Sequence, residues 1–201
     1  VTEPEAIVAV LAGGRGERLG GAKPTVALGG RALIRHPLAA ARDAGLEAVV
    51  VAKPGTPLPE LSETVLHEPV LPRHPLCGVV AAQEYAAERS PIPAVVLVAC
   101  DMPFLTGPLL RWLAELDGPA VAEVDGQLQP LLARCLPRDL PLLREALAAE
   151  RSLRAAIAAL EPRIIGELEL SPFGRPERLC FNVNDAADLA RAEDWLARVP
   201  D

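Results

Sequence analysis

The sequence predicts an α/β fold: a mainly parallel sheet covered by helices on both faces, with an antiparallel element in its second half. Three observations carry this expectation. Short uninterrupted apolar runs, the pattern of strands buried on both faces, occur at Ile7-Val8-Ala9-Val10-Leu11, Ala48-Val49-Val50-Val51-Ala52 and Ala94-Val95-Val96-Leu97-Val98-Ala99-Cys100. Helical stretches separate these runs, and strands that alternate with helices form parallel sheets. In the second half, two apolar segments flank Asp125-Gly126, a turn dipeptide that folds neighbouring strands back on each other.

Taken in order, Ile7 to Leu11 is the first strand and ends at glycines. Residues 32–44 read as a helix stopped by Gly45, and the Ala48 strand ends at Pro54-Gly55. Thr64-Val65-Leu66 is a third strand, residues 76–88 a helix, and the Ala94 run the most strongly marked strand. Beyond it, residues 108–116 read as helical, 119–124 and 128–135 as the turn-linked strand pair, and 139–149 and 152–160 as two Ala/Leu-rich helices parted near Glu150-Arg151. Residues 171–177 hold Pro172, Gly174 and Pro176 and read as a mobile loop. A last helix over 186–199 carries Leu189, Ala192, Leu196 and Val199 at helical spacing, as a packing face. With no repeats or linker, residues 1–201 are expected to form a single domain of Rossmann-like, three-layer α/β type.

The chain has 201 residues, enough to bury a core without disulfides or metal staples. No apolar run approaches the roughly 20 residues of a membrane span, and no charged-then-apolar leader is visible, so a cytoplasmic protein is expected. Cys77, Cys100, Cys135 and Cys180 are scattered without a C-x-x-C pair and read as core thiols. A net charge of −7 argues against nucleic acid or an anionic membrane as partner. Eighteen of the 20 basic residues are Arg, and the two lysines are Lys23 and Lys53. A Lys at the end of a glycine-rich segment then suggests that a compact ammonium is wanted there.

That segment, residues 11–24, follows the first strand and combines bare backbone with positive charge at Arg18 and Lys23. Glycines let main-chain N–H groups approach phosphate oxygens, and the cations supply countercharge. Two familiar phosphate motifs nearly fit and fail. G-x-x-x-x-G-K-[ST] is broken by Ala22 and Pro24, and G-x-G-x-x-G finds Leu19 at its third glycine. A long loop wrapped around its ligand is expected instead. In open α/β sheets ligands bind beyond the carboxyl ends of the strands, where Glu68 and Asp101 also fall. An acidic group closing an apolar strand is costly unless it meets solvent or a cation, so Asp101 is a candidate Mg2+ ligand, or else the cap of the turn into Met102-Pro103.

The ordered set Leu11-Ala12-Gly13-Gly14, Arg18-Leu19-Gly20, Lys23, His74-Pro75-Leu76-Cys77-Gly78, Cys100-Asp101-Met102-Pro103, Gln129-Pro130-Leu131 and Phe181-Asn182-Val183-Asn184 closely resembles molybdenum cofactor guanylyltransferases. The resemblance spans essentially the whole chain. It implies an enzyme that transfers GMP from Mg-GTP to the terminal phosphate of molybdopterin and releases pyrophosphate. It places main-chain groups of Leu11, Ala12, Gly13 and Gly14 at guanine or ribose, with Pro75, Leu76 and Gly78 nearby. Arg18 and Lys23 then contact phosphates, Asp101 holds Mg2+, and Glu68 faces the guanine N1–H and N2 donors. Asn182 and Asn184 fall beside the acceptor phosphate and metal; capping of the last helix by Asn184 or Asp185 is the plainer alternative. His74 is placed toward the guanine side, and Phe173 and Arg175 over the pterin or simply on a surface loop.

Leu-Ala-Gly-Gly together with Pro-Leu-x-Gly goes with guanine in that family, which favours GTP. The family commonly has Asp where this chain has Ala22 and Asn where it has Ala52. Open alternatives are a cytidylyltransferase on the same pterin, a sugar-phosphate or phospholactate nucleotidylyltransferase, and a non-catalytic cofactor-delivery protein. Cofactor-biosynthesis proteins or apo-molybdoenzymes are the implied protein partners.

Overall fold

The computed structural model describes residues 6–13, 19 and 23–198. Expectations placed on Gly14, Gly16, Arg18, Gly20, Gly21, Ala22 and Val199 lie outside the described residues.

A seven-stranded sheet forms the middle layer. Its strands are β1 (Ile7–Leu11), β4 (Glu47–Ala52), β5 (Thr64–His67), β6 (Val95–Ala99), β7 (Ala120–Val124), β8 (Gln127–Cys135) and β9 (Arg163–Ile165), in the order β5-β4-β1-β6-β8-β7-β9. A separate two-stranded ribbon joins β2 (Ala27–Leu28) to β3 (Arg31–Ala32). In the large sheet only β8 runs against its neighbours; β5, β4, β1 and β6 are mutually parallel, and β7 pairs parallel with β9. The Asp125-Gly126 turn that reverses the chain has φ of 52° and 66°, as a tight two-residue hairpin requires.

The apolar runs explain the layering. Along β1, Val8 and Val10 face one core with α1 (Arg35–Asp43) and α3 (Gly107–Ala114), whereas Ile7 and Ala9 face a second core. That second core is closed by α2 (Leu76–Ala87), α4 (Leu140–Ala148) and α5 (Leu153–Ala158). Because both faces are covered, the alternating polar residues of a one-sided strand are absent from β1 and β6. Crossovers from β1 run to β4 and β5 on one side, and β6 lies on the other, so the sheet has its topological switch at the carboxyl end of β1.

Two expectations are corrected. The helix expected over 32–44 begins later, at Arg35, because Gly29 and Gly30, with φ of 57° and 76°, turn the chain into the ribbon and leave Ala32 paired with Ala27. The loop expected over 171–177 is ordered into a 3-10 turn (Ser171–Phe173) and α7 (Pro176–Leu179). Pro172 and Pro176 open these turns rather than break them, since proline's fixed φ suits the first helical position. Phe173 packs on Trp112 with ring centroids 5.1 Å apart, which ties this segment to the body of the protein. Short α6 (Glu167–Leu170) and strand β9 had no local signal.

The last helix, α8 (Ala186–Ala197), packs beside the β2–β3 ribbon. Ala192 is buried there as expected, while Leu196 is 38% exposed. The four cysteines are free and buried. Among the described residues no helix is long and apolar enough to cross a membrane.

Candidate active site

Lys23 stands on a 3-10 turn (Lys23–Thr25) that ends the glycine-rich loop, and Asp101 follows β6 directly. The two meet as an ion pair, with side chains only 12% and 11% exposed. Lys23 Nζ also donates to Asn184 Oδ1 at 3.0 Å. Asn184 is placed by the backbone: Val183 N–H donates to the Asp101 carbonyl at 2.9 Å, which pins the segment before α8 to the end of β6. The Asn184 amide then donates to the Asn182 carbonyl at 3.2 Å, which leaves its oxygen for the ammonium. The helix cap is Asp185, whose Oδ1 accepts from Ala187 and Asp188 N–H. Asn182 donates to the Cys180 carbonyl at 3.0 Å, so Asn184, not Asn182, joins the Lys23–Asp101 pair.

A cleft of about 690 Å3 opens beyond β1, β4 and β5 and is lined by Leu11, Gly13, Lys53, Glu68, His74, Pro75, Gly78 and Leu131, among others. Glu68 leaves β5 with its N–H on the Ala52 carbonyl at 3.0 Å, and its carboxylate is 5% exposed. Two glycines make room for it. A Cβ on Gly13 would lie 2.5 Å from Glu68 Oε1, and one on Gly78 would lie 3.1 Å from Oε2. Lys53 Nζ sits 3.4 Å from Oε1 and donates to the Pro69 carbonyl at 2.9 Å. Burial pushes the Glu68 carboxyl above its usual range, and Lys53 opposes the rise. Among ionisable groups in a cleft, a perturbed value of this kind marks a functional candidate.

The other expected positions divide. Leu11, Pro75 and Gly78 line the cleft, as does His74, whose Nδ1 accepts from Leu76 N–H at 3.2 Å at the start of α2. Ala12 and Leu76 are fully buried and pack in the core. Ala12 N–H is spent on the Val51 carbonyl at 2.8 Å, and the Leu11 carbonyl accepts from Cys100 N–H at 3.0 Å. Of the groups expected at guanine, those two are therefore already used to join β1 to its neighbours. Sequence reasoning passed over Lys53, although its signal was present. The chain has two lysines, and each pairs with a buried carboxylate, Lys23 from the end of the glycine-rich loop and Lys53 from just beyond β4.

Residues 8–164 match the MobA-like NTP transferase domain. The chain belongs to that family. It is a nucleotidyltransferase, and relatives named molybdenum cofactor guanylyltransferase bear out the resemblance drawn from the ordered sequence blocks. One from Cereibacter sphaeroides is 33% identical, covering 94% of this chain and 96% of its own length. Another from Rhodobacter capsulatus is 34% identical, covering 93% and 94%. The fold is shared with molybdopterin-guanine dinucleotide biosynthesis protein A from Archaeoglobus fulgidus, at a TM-score of 0.77 and 24% identity over 96% of this chain and 99% of that one. It is also shared with 2-C-methyl-D-erythritol 4-phosphate cytidylyltransferase from Thermus thermophilus, at a TM-score of 0.66 and 26% identity over 97% and 100%.

For this NTP transferase the geometry separates two tasks. The cleft beside Glu68 offers apolar walls, an anionic acceptor and a cationic donor. The Lys23–Asp101–Asn184 cluster offers a fixed positive charge and two oxygen donors. Among the described residues no three His, Cys, Asp or Glu side chains gather as a metal site, so a cation here would draw most of its ligands from substrate and water.

Proposed function

We propose that this transferase moves GMP from GTP to the terminal phosphate of molybdopterin, with Mg2+ as cofactor. The observation that carries the guanine assignment is the Glu68 carboxylate, held in the cleft wall between Gly13 and Gly78. A buried acceptor at that place is matched by the N1–H and N2 donors of guanine, and unpaired it is costly. The names of the relatives support both the nucleotide and the pterin acceptor.

In the reaction an oxygen of the acceptor phosphate forms a bond to the α-phosphorus of GTP. The bond from that phosphorus to the bridging oxygen breaks, and pyrophosphate leaves. The acceptor is already an anion at neutral pH, so alignment and charge neutralisation matter more than a general base. Lys23 provides one fixed positive charge, oriented by Asp101 and Asn184, and Arg18 is assigned a second on the strength of the sequence blocks. Asp101 and the Asn184 amide are hard oxygen donors of the kind Mg2+ takes, and their small number suits an ion that keeps waters and phosphates in its shell. Held there, Mg2+ supplies countercharge to the α-phosphate and the departing pyrophosphate.

The test is pyrophosphate release with Mg2+, pairing each of the four nucleoside triphosphates with molybdopterin or with sugar phosphates. Turnover is expected with GTP and molybdopterin. CTP turnover equal to or above that with GTP would overturn the guanine assignment, and preference for a sugar phosphate would overturn the acceptor. Asp101→Ala is expected to reduce kcat by about 10²–10³-fold or more with the thermal unfolding midpoint retained. Near-normal activity of that variant under limiting Mg2+ would reject the metal role.

A further inference from the structure

Lys53 has no part in the chemistry described so far, yet it is one of two lysines in a chain that otherwise uses arginine. It follows β4 directly, and its ammonium lies on the cleft wall with the side chain 23% exposed. An ammonium has three donors. One goes to the Pro69 carbonyl at 2.9 Å and a second faces Glu68 Oε1 at 3.4 Å. The third remains for the cleft. An anionic acceptor and a cationic donor therefore stand side by side on one wall of a site proposed to take a nucleotide.

The guanine edge presents two adjacent donors, N2–H and N1–H, followed at once by the O6 acceptor. With the two donors on the Glu68 carboxylate, O6 is the next atom along the edge, on the side where an adjoining cation would meet it. We propose that Lys53 is a specificity-determining residue that donates to guanine O6, so that Glu68 and Lys53 together read the base edge as an acceptor–donor pair. The proposal rests on the GTP assignment above. Adenine and cytosine present an amino group where guanine has O6 and a bare ring nitrogen where it has N1–H. Either base turns a donor toward the ammonium and a lone pair toward the carboxylate, and the mismatched site is left with buried unpaired groups. Arginine would not be equivalent, because its planar fork directs donors in a fixed geometry, whereas a compact ammonium serves Oε1, the Pro69 carbonyl and the base from one nitrogen.

Direct titration of the full chain with Mg-GTP and with Mg-6-thio-GTP tests this without reference to the acceptor. Sulfur in place of O6 is a weak acceptor, while N1–H and N2 are retained. Wild type is expected to bind GTP about 10-fold or more tightly than the thio analogue, the size of a hydrogen bond to a charged group. Lys53→Met should weaken GTP and bind the two nucleotides within about 2-fold of each other, which removal of a merely structural ion pair would not produce. Because Lys53→Met leaves a buried carboxylate alone, the comparison is repeated on a Glu68→Gln background. There the preference should persist with Lys53 present and vanish in the double variant. A preference kept by Lys53→Met, or absent from wild type, overturns the proposal. Wild type that binds CTP in preference to GTP overturns the guanine assignment as well, whereas GTP binding without turnover on molybdopterin overturns only the acceptor.

Discussion

At Glu68 one carboxylate meets opposing demands: burial disfavours its charge, and the guanine recognition proposed for it requires that charge. The structure answers with glycines that bring backbone close and a lysine that limits the rise in its pKa. The proton balance gives a testable pH dependence. Because the folded-state value is the raised one, protonation of Glu68 favours the fold. That contribution is complete below the unfolded value, about 4.3, and is lost as pH rises through the folded value. Glu68→Gln is therefore expected to unfold at a higher temperature than wild type at neutral pH, with the gap closing as pH falls toward about 4. Its KM for GTP should be raised, and should lack the increase that wild type shows as pH drops through the raised value. Thermal scans and steady-state kinetics across pH check both. Asp101 and Glu68 were legible in the sequence because an acid that ends an apolar strand is conspicuous. Their lysines were only half legible, since no local pattern says which carboxylate a flexible side chain reaches.

The elements that bring these residues together differ in how openly they announce themselves. Buried strands and the Asp125-Gly126 hairpin were visible, because apolar runs and turn dipeptides act within a few residues. The β2–β3 ribbon and α7 were hidden, because Gly and Pro serve both in ordered turns and in loose loops. Helix α8 shows how a distant element reaches the site. Trp195 packs on Phe181 at 4.8 Å and Phe104 at 5.4 Å, and Arg178 lies 4.5 Å over the Phe104 ring. Phe181 begins the segment that carries Asn184 to Lys23. Trp195→Ala should thus cost about 2–3 kcal/mol, less than the roughly 3–5 of a fully buried aromatic, because Trp195 is only partly buried. Measured well below its unfolding transition, kcat should fall further than KM for GTP rises, since the Lys23–Asp101–Asn184 cluster and not the Glu68 cleft loses its support.

Across the whole molecule the sheet order decides where the site lies. β1 is flanked by parallel neighbours whose chains leave in opposite directions, which opens a crevice at its carboxyl end. β8 alone runs the other way, so it begins at the rim where the others finish, and its half-buried first part brings Leu131 to the cleft before Leu132 to Cys135 enter the core. The scaffold should be separable from the chemistry. Leu97 is fully buried at the centre of β6, and Leu97→Ala is expected to cost about 2–5 kcal/mol, lowering the unfolding midpoint by about 5–15 °C. KM for GTP, measured below the transition, should stay near the wild-type value, because Leu97 lies within the core and outside the cleft lining.

By itself the sequence determined the α/β class, the parallel strands, the reversed pair and the acids at the strand ends, because burial on two faces and turn chemistry are written in adjacent residues. Tertiary structure alone decided that Lys23 meets Asp101, 78 positions away, and Asn184, 161 positions away, and that Lys53 faces Glu68 across neighbouring strands. Such pairs depend on strand order and register, which no local pattern encodes.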